Sequence, residues 1–266
     1  MYRLFCKKIT FFSMLLLLCA AGGNVDGAKL HTILICDTHA DNIGSSVEAD
    51  LRNFRNETHR IAQNTTLELS EKLFIGQEVN KEALAFIADL SIDADDAVIF
   101  YFSGHGYRPS NVSPEVNQWP HLYLTPADKG VDFLEVAERL MHKNPRLMLV
   151  VSDCCNNIIP EMYAPTTMPI PAETPEARGA NRKRNYNKLF QESTGYYIIT
   201  SASPGEFSWG TLGGGIFTNA FLRSLKLAAD SHNTADWIAI LDRASLYVVN
   251  NSEIDNQTPR YEYVSK

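Results

Sequence analysis

Short apolar runs typical of buried strands alternate along this chain with segments of helical periodicity. The two clearest runs are AVIFYF at 97–102 and RLMLVV at 146–151, each about as long as an ordinary strand. The same pattern predicts strands at 30–36, 196–201 and, as an edge strand, 257–264, and helices at 47–62, 131–142, 216–228, 235–249 and after the capping residue Asn80. Strands that alternate with helices predict an α/β fold in which a mostly parallel sheet is covered on both faces. We see no internal repeat and no second core, so we expect a single domain.

The first 28 residues have the composition of a targeting segment. Basic residues precede an apolar run over 9–21, and small residues follow it. This order predicts a secretory signal peptide over 1–28 and a mature chain of 29–266 that is secreted or exported to the periplasm. The run of 13 residues is short for a membrane span. An uncleaved signal that anchors the chain in a membrane is the alternative.

A segment rich in proline and basic residues interrupts the strand and helix pattern between 159 and 194. Prolines fill its first half, and a basic cluster follows in Arg178, Arg182, Lys183, Arg184 and Lys188. Such long connections are usually functional or disordered, so we expect a mobile surface loop here.

A histidine and a cysteine follow the two strongest strands. His105 comes after the 97–102 run between two glycines, and Cys155 comes after the 146–151 run. Reactive groups gather at the carboxyl ends of the strands in open α/β sheets. A thiol needs a neighbouring base to act as a nucleophile near neutral pH, and a histidine at an adjacent strand end supplies one. The pattern therefore predicts a His105–Cys155 dyad.

The motifs around these residues resemble those of the caspase-like cysteine peptidases, especially metacaspases and their bacterial relatives. YFSGHG at 101–106 resembles the family's histidine motif, and SDCC at 152–155 resembles its cysteine motif. The separation of 50 residues between His105 and Cys155 agrees with the caspase spacing. Segments 200–209 and 214–225 and the Gln257-Thr258-Pro259 motif are also similar to family segments.

The resemblance implies the fold and the roles of the dyad. It implies one caspase-haemoglobinase-like domain with a six-stranded sheet, divided into a large part at 29–158, a linker loop at 159–194 and a small part at 195–266. His105 would be the base and Cys155 the nucleophile. The backbone N–H groups of Cys155 and Gly106 would form the oxyanion hole.

Two features of the cysteine motif leave alternatives open. Asn156 and Asn157 follow the nucleophile where the family usually has a run that ends in glycine. A catalytically weak caspase-like protein that acts as a binding or regulatory module is therefore the alternative to an active peptidase. Cys154 is the alternative nucleophile, because only one of two successive residues at a strand end should face His105. Cys36 is expected in the core, or else as a redox partner of Cys154.

The resemblance also indicates what the specificity pocket would accept. Caspases that cleave after Asp carry an arginine just after a Ser-Trp pair, but Gly210 follows Ser208 and Trp209 here. Asp153 and Asp50 match acidic pocket residues of metacaspases that cleave after Arg or Lys, and Ser103 is expected beside them. Two buried carboxylates would favour a cation between them. The competing interpretation of Asp50 is a charge that interacts with the dipole at a helix N-terminus.

Further expectations concern processing, cofactors and partners. The basic residues at 178–188 would make the linker a substrate for self-cleavage, or else they are only a solvated basic segment. The resemblance implies calcium for many metacaspases, but we assign no calcium ligands, and the histidines show no metal-binding spacing. The formal net charge of −7 excludes a typical nucleic-acid binder. The expected partner is a peptide or protein substrate, and both monomer and dimer stay open.

Overall fold

A computed structural model describes residues 27–124, 130–158 and 179–266. The strands are β1 (Lys29–Cys36), β2 (Glu68–Ile75), β3 (Ala97–Ser103), β4 (Gly106–Tyr107), β5 (His121–Leu122), β6 (Val131–Asp132), β7 (Leu147–Asp153), β8 (Gly195–Thr200), β9 (Gly210–Thr211), β10 (Gly214–Gly215) and β11 (Arg260–Val264). The helices are α1 (Gly44–Gln63), α2 (Lys81–Asp89), α3 (Phe133–Met141), α4 (Gly179–Asn187), α5 (Ile216–Asp230) and α6 (Trp237–Val249), with a 3₁₀ turn at Gly76–Glu78 and a π-helical turn at Lys188–Glu192.

Six strands form the central sheet in the order β11-β8-β7-β3-β1-β2. All neighbours pair in parallel except β11, which runs antiparallel to β8 at one edge. The residues of β3 and β7 are buried throughout, as expected where both faces of a parallel sheet are covered. The prediction of a single α/β domain with a mostly parallel six-stranded sheet is confirmed.

The strand pattern missed β2, which forms the other edge of the sheet. Its sequence ELSEKLFI has a mixed burial pattern, and only one of its residues is fully buried. Two glutamates and a lysine in eight residues hide the apolar signal of a strand that pairs on one side only.

The helices divide the apolar interior into two cores, one on each face of the sheet. The first core joins β1, β3, β7 and β8 to α1, α5 and α6, where Phe54 stacks on Tyr101 with ring centroids 3.9 Å apart. The second core joins the other face of the same strands to α2 and α3. Cys36 belongs to the first core and Cys154 to the second. The sheet therefore separates these two thiols, and Cys36 is a packing residue rather than the redox partner of Cys154.

The prediction of a loop over 159–194 is wrong for residues 179–192, which form α4 and the π-helical turn. Tyr186, Leu189 and Phe190 are fully buried in the first core. The Asn185 side chain donates hydrogen bonds to carbonyls at the C-terminal end of α5, 3.0 Å from Ala228 O among others. The basic residues at 182–184 and 188 hid the apolar stripe of this segment from the sequence pattern. Residues 159–178, including Arg178, lie outside the described part of the chain.

The predicted signal segment also lies almost wholly outside the described residues, which begin at Gly27. Within the described ranges, no helix is long and apolar enough to cross a membrane.

Candidate active site

His105 lies immediately after β3 at the carboxyl end of the sheet. Its Nε2 is 2.9 Å from Oδ1 of Asn42, a residue in the connection between β1 and α1. The backbone N–H of Tyr123 donates to the His105 carbonyl at 2.9 Å. Burial lowers the pKa of His105, and the carboxylate of Asp37 at the end of β1 opposes that shift. Asn42 and Asp37 therefore define the surroundings of the imidazole.

Cys155 lies on the same cavity wall as His105. The backbone N–H of Ser208 donates to Cys155 Sγ at 3.4 Å. Burial raises the pKa of the Cys155 thiol, and the Ser208 amide partly opposes that shift. Within the described residues no hydrogen bond joins Cys155 to His105. Burial therefore favours the neutral thiol of Cys155 over its thiolate.

Cys154 borders the same cavity, but its side chain points into the second core. It is only 2% exposed, whereas Cys155 is partly exposed. Burial raises the pKa of the Cys154 thiol well above its ordinary value. Of the two adjacent cysteines, Cys155 has the more accessible sulfur.

Asn156 holds the turn that follows Cys155. It is fully buried, and its side-chain amide donates to the carbonyls of Gln118 at 3.0 Å and Ala202 at 3.2 Å. Its backbone N–H donates to the Glu206 carbonyl at 3.0 Å. The buried Asn156 side chain thus stabilises this turn, at the position where the cysteine motif lacks the usual glycine-ending run.

Gly106 lies against the backbone of the cysteine turn. A Cβ atom on Gly106 would stand 2.5 Å from Cys154 Sγ and 2.6 Å from the Cys155 carbonyl oxygen. Only glycine allows this approach without movement of the backbone. The His105 and Cys155 segments are therefore in direct contact through main-chain atoms.

Asp50 and Asp153 form an acidic end to the cavity. Asp50 accepts hydrogen bonds from the Ser103 hydroxyl at 2.8 Å and the Gly215 N–H at 2.7 Å. Asp153 accepts from the Ser208 hydroxyl at 2.6 Å and from the N–H and hydroxyl of Thr218 at 3.0 and 2.6 Å. The structure thus brings together Asp50, Ser103, Asp153 and Ser208, four of the five expected pocket residues, and Trp209 lines the same cavity.

Burial raises the pKa of both carboxyl groups. For Asp50 the negative charge of Asp153 adds to the desolvation, and hydrogen bonds from Ser103 and Gly215 oppose it. For Asp153 desolvation is opposed mainly by Ser208 and Thr218. Asp50 is the seventh residue of α1 and is fully buried. The interpretation of Asp50 as a charge at a helix N-terminus is therefore wrong.

Gly215 lies close to both carboxylates. A Cβ atom there would stand 2.1 Å from Asp153 Oδ2 and 3.2 Å from Asp50 Oδ2. The neighbouring Gly214 has a φ of +113°, a conformation that favours glycine. The β9–β10 hairpin, which carries both glycines, is thus fitted to the acidic end of the cavity.

The family model of the caspase domain matches residues 36–265. The chain belongs to the caspase-domain family. Membership implies a cysteine peptidase with peptide or protein substrates, and it bears out the resemblance seen in the histidine and cysteine motifs.

Solved structures support the caspase fold. Protein GSU0716 from Geobacter sulfurreducens is 17% identical, with a TM-score of 0.54 over 90% of this chain and 94% of that one. Caspase-1 from Spodoptera frugiperda is 16% identical, with a TM-score of 0.52 over 88% of this chain and 86% of that one. At these identities the matches show the fold alone. No curated protein matches the chain significantly.

Gln257 contacts the segment that carries the cavity residues Ser208 and Trp209, a role that the sequence did not reveal. Its amide donates to the Ser201 carbonyl at 3.1 Å and the Ser208 hydroxyl at 3.2 Å, and it accepts from the Trp209 N–H at 3.1 Å. Because the Ser208 hydroxyl in turn donates to Asp153, Gln257 is linked to the acidic end of the cavity through Ser208. The Gln257-Thr258-Pro259 motif marked this segment in the sequence, but it did not indicate which groups Gln257 contacts.

The described ranges contain no cluster of side chains suited to bind calcium. No three histidine, cysteine, aspartate or glutamate side chains cluster there as metal ligands would. Calcium also prefers six to eight oxygen ligands, and the oxygens of Asp50 and Asp153 are already bonded to protein donors. We derive no catalytic step through calcium.

Proposed function

We propose that this protein is an exported cysteine endopeptidase that uses a His105–Cys155 dyad and cleaves peptide bonds after Arg or Lys. The observation that carries the proposal is the pair of buried carboxylates, Asp50 and Asp153, in the cavity that also holds Cys155 and His105.

The electrostatics of the pocket support a basic residue before the scissile bond. Desolvation raises the pKa of both buried carboxyl groups, and the negative charge of Asp153 raises the pKa of Asp50 further. A guanidinium or ammonium group between them would offset both terms and could use the remaining lone pairs of the carboxylate oxygens. Gly210, at the position of the caspase arginine, provides no cation for an acidic substrate.

The proposed reaction starts from the protonated thiol. His105 takes the proton of Cys155 Sγ as the sulfur attacks the carbonyl carbon, and the N–H groups of Cys155 and Gly106 hold the resulting oxyanion. His105 then gives this proton to the leaving amine, and the peptide C–N bond breaks to leave a thioester. Water hydrolyses the thioester with His105 as the base, which returns the thiol and releases the carboxylic acid product.

Export and self-processing are further parts of the proposal. The order of basic, apolar and small residues over 1–28 supports a signal peptide, with membrane anchoring as the outcome if it is not cleaved. Basic residues at 178–188 match the proposed specificity, and Arg178 precedes α4.

The first experiment measures hydrolysis of matched fluorogenic peptides that end in Arg, Lys, Asp or Asn. It uses the purified protein in reducing buffer, with and without calcium. We expect cleavage after Arg or Lys, retention of activity in Cys154→Ala and loss in Cys155→Ala. Cleavage after Asp or Asn instead would overturn the specificity, and full activity in Cys155→Ala would overturn the dyad.

The absence of a His105–Cys155 hydrogen bond within the described residues, together with the raised pKa of Cys155, favours one alternative. In that alternative the protein is a catalytically weak caspase-like binding or regulatory module. A peptidyl chloromethyl ketone with a terminal arginine separates the two functions. Stoichiometric labelling of Cys155 supports the peptidase, whereas a folded protein that neither cleaves nor is labelled supports the binding module.

A further inference from the structure

We propose that Asn42 is a positioning residue that fixes His105 in the tautomer required of a general base. The inference rests on the proposed dyad and adds a third member to it. Its basis is the 2.9 Å contact between Asn42 Oδ1 and His105 Nε2.

The direction of this hydrogen bond decides which imidazole nitrogen is basic. An amide oxygen only accepts, so the proton of the neutral ring lies on Nε2 and the lone pair lies on Nδ1. With Nε2 engaged by Asn42, Nδ1 is the nitrogen available to take the thiol proton of Cys155. A ring with the proton on Nδ1 would present a donor to the thiol and could not act as the base.

The connection that carries Asn42 is held firmly by its own backbone. The Gly44 N–H donates to the Ala40 carbonyl at 2.8 Å, and the Ala40 N–H donates to the Asp37 carbonyl at 3.3 Å. A Cβ atom on Gly44 would stand 2.5 Å from the Thr38 carbonyl oxygen, which shows how closely the chain winds here. A side chain on such a rigid turn can hold a ring in one orientation.

The amide nitrogen of Asn42 points away from His105 into a buried position. It makes no hydrogen bond within the described part of the chain, an arrangement that is unfavourable for a buried polar group. A side chain that served only its own turn would gain by using this donor. The cost is explained if the contact of Oδ1 with His105 determines how the amide is turned.

Asp37 complements Asn42 from the end of β1. Its carboxylate opposes the effect of burial on the pKa of His105, and it would stabilise the imidazolium that forms when Cys155 loses its proton. His39 also acts on Asp37, so the titrating groups on this side of the ring are Asp37 and, behind it, His39. Cys155 is the titrating group on the other side.

The test compares Asn42→Ala and Asn42→Asp with wild type. Asn64→Ala is the control, because it also removes an asparagine amide hydrogen bond, to the Arg60 carbonyl at the far end of α1. We would measure kcat and KM for an arginine peptide across pH. In parallel we would measure the rate at which iodoacetamide alkylates Cys155, located by mass spectrometry.

We expect Asn42→Ala to lower kcat by about 10-fold to 100-fold, since positioned general-base catalysis contributes about 10²-fold to 10⁴-fold. KM should change by less than about 2-fold, because Asn42 does not hold the substrate. Asn42→Asp keeps the acceptor and should recover most of kcat. Its added charge favours the imidazolium, so the acid limb of the pH profile should move to higher pH.

Two results would overturn the inference. One is an Asn42→Ala protein with wild-type kcat and alkylation rates. The other is a folded Asn42→Asp protein that is as impaired as Asn42→Ala, with an unmoved acid limb. Alkylation requires neither peptide cleavage nor a basic pocket. If wild type cleaves no Arg or Lys peptide, the proposed specificity fails, and the alkylation profiles still decide the role of Asn42.

Discussion

At the residue scale, the acidic end of the cavity contains two buried carboxyl groups. Asp50 and Asp153 are both buried, and each is held only by neutral donors. Within the described residues, no ion pair neutralises either one. Two such groups in one cavity are the basis for our proposal that it accepts a basic side chain.

Replacing Asp50 with Asn should stabilise the protein and weaken cleavage. Because the pKa of Asp50 is raised in the folded state, the folded protein binds more protons than the unfolded chain. Its stability therefore falls as pH rises above the ordinary pKa of about 3.9. Asp50→Asn should remove this pH dependence and increase the free energy of unfolding at pH 7, measured by urea denaturation.

The same variant should lose at least about 30-fold in kcat/KM for arginine peptides, because truncating a buried charge pair costs about 2–5 kcal/mol. Asp41→Asn, in the exposed connection before α1, is the matched control. Undiminished cleavage of arginine peptides by Asp50→Asn would contradict the role assigned to the acidic end.

The site residues that could be predicted from the sequence lie at the ends of strands with a continuous apolar run. His105, Asp153 and Cys155 occupy the ends of β3 and β7, where the chain direction follows from the apolar runs. Asn42 and Gln257 are single polar residues in connections. Their side-chain directions are set by tertiary packing, which no local pattern encodes.

At the element scale, Asp96 connects the N-terminal ends of β1, β3 and β7 through hydrogen bonds. Its carboxylate accepts hydrogen bonds from the Lys29 N–H at 2.7 Å and contacts His31 Nε2 at 2.9 Å, while its carbonyl accepts from the Arg146 N–H at 2.9 Å. Burial would raise the pKa of Asp96, but the amides of Lys29 and Asp93 and the His31 ring outweigh it, so the pKa is lowered.

A lowered pKa predicts stability that is present above about pH 4 and lost as pH falls through the folded-state value. Asp96→Asn should therefore cost about 1–3 kcal/mol at pH 7, and the difference from wild type should shrink in acid. Urea denaturation between pH 7 and pH 3 measures this. A difference that stays constant over this range would show that the charge of Asp96 contributes nothing.

The helical segment at residues 179–192, formed by α4 and the π-helical turn, is a second stabilising element. The Asn185 amide nitrogen lies within hydrogen-bonding distance of four carbonyls around the end of α5. Arg182 forms a bidentate pair with Asp230 at 2.8 and 3.1 Å. A peptidase that cuts within α4 would first have to unfold this segment, so Arg182 and Arg184 are poor sites for the proposed self-cleavage.

Asn185→Ala should loosen α4 from α5. We expect it to lower stability by about 1–3 kcal/mol and to accelerate limited trypsin cleavage after Arg182 or Arg184. Asn181→Ala is the control on the same helix, because the partner of its amide among the described residues is the exposed His232. Equal trypsin rates in the two variants would argue against this role of Asn185.

The two longest elements that the sequence pattern missed, β2 and α4, are rich in charge and only partly buried. Amphipathic signals weaken when long polar side chains cover an apolar stripe. The central strands were predictable because burial on both faces makes them wholly apolar.

At the scale of the whole molecule, the sheet divides the thiols between two cores. Within the described residues Cys36, Cys154 and Cys155 are free, and only Cys155 is partly exposed. A thiol reagent should therefore modify Cys155 first and reach Cys36 and Cys154 only on unfolding. Peptide mapping after brief native labelling measures this order, and prior reaction of Cys154 would contradict it.

The pairing of β7 with β8 has a consequence for chain connectivity. These strands are parallel neighbours from Leu147 opposite Gly195 to Ser152 opposite Thr200, although the chain between them includes residues 159–178, which lie outside the described part. Asp50, His105 and Cys155 precede that connection, whereas Ser208 and Gln257 follow it. A chain nicked between 158 and 179 would thus become a non-covalent heterodimer whose two fragments share one sheet. Neither fragment would carry a complete cavity, and co-expression of the two should restore it by complementation.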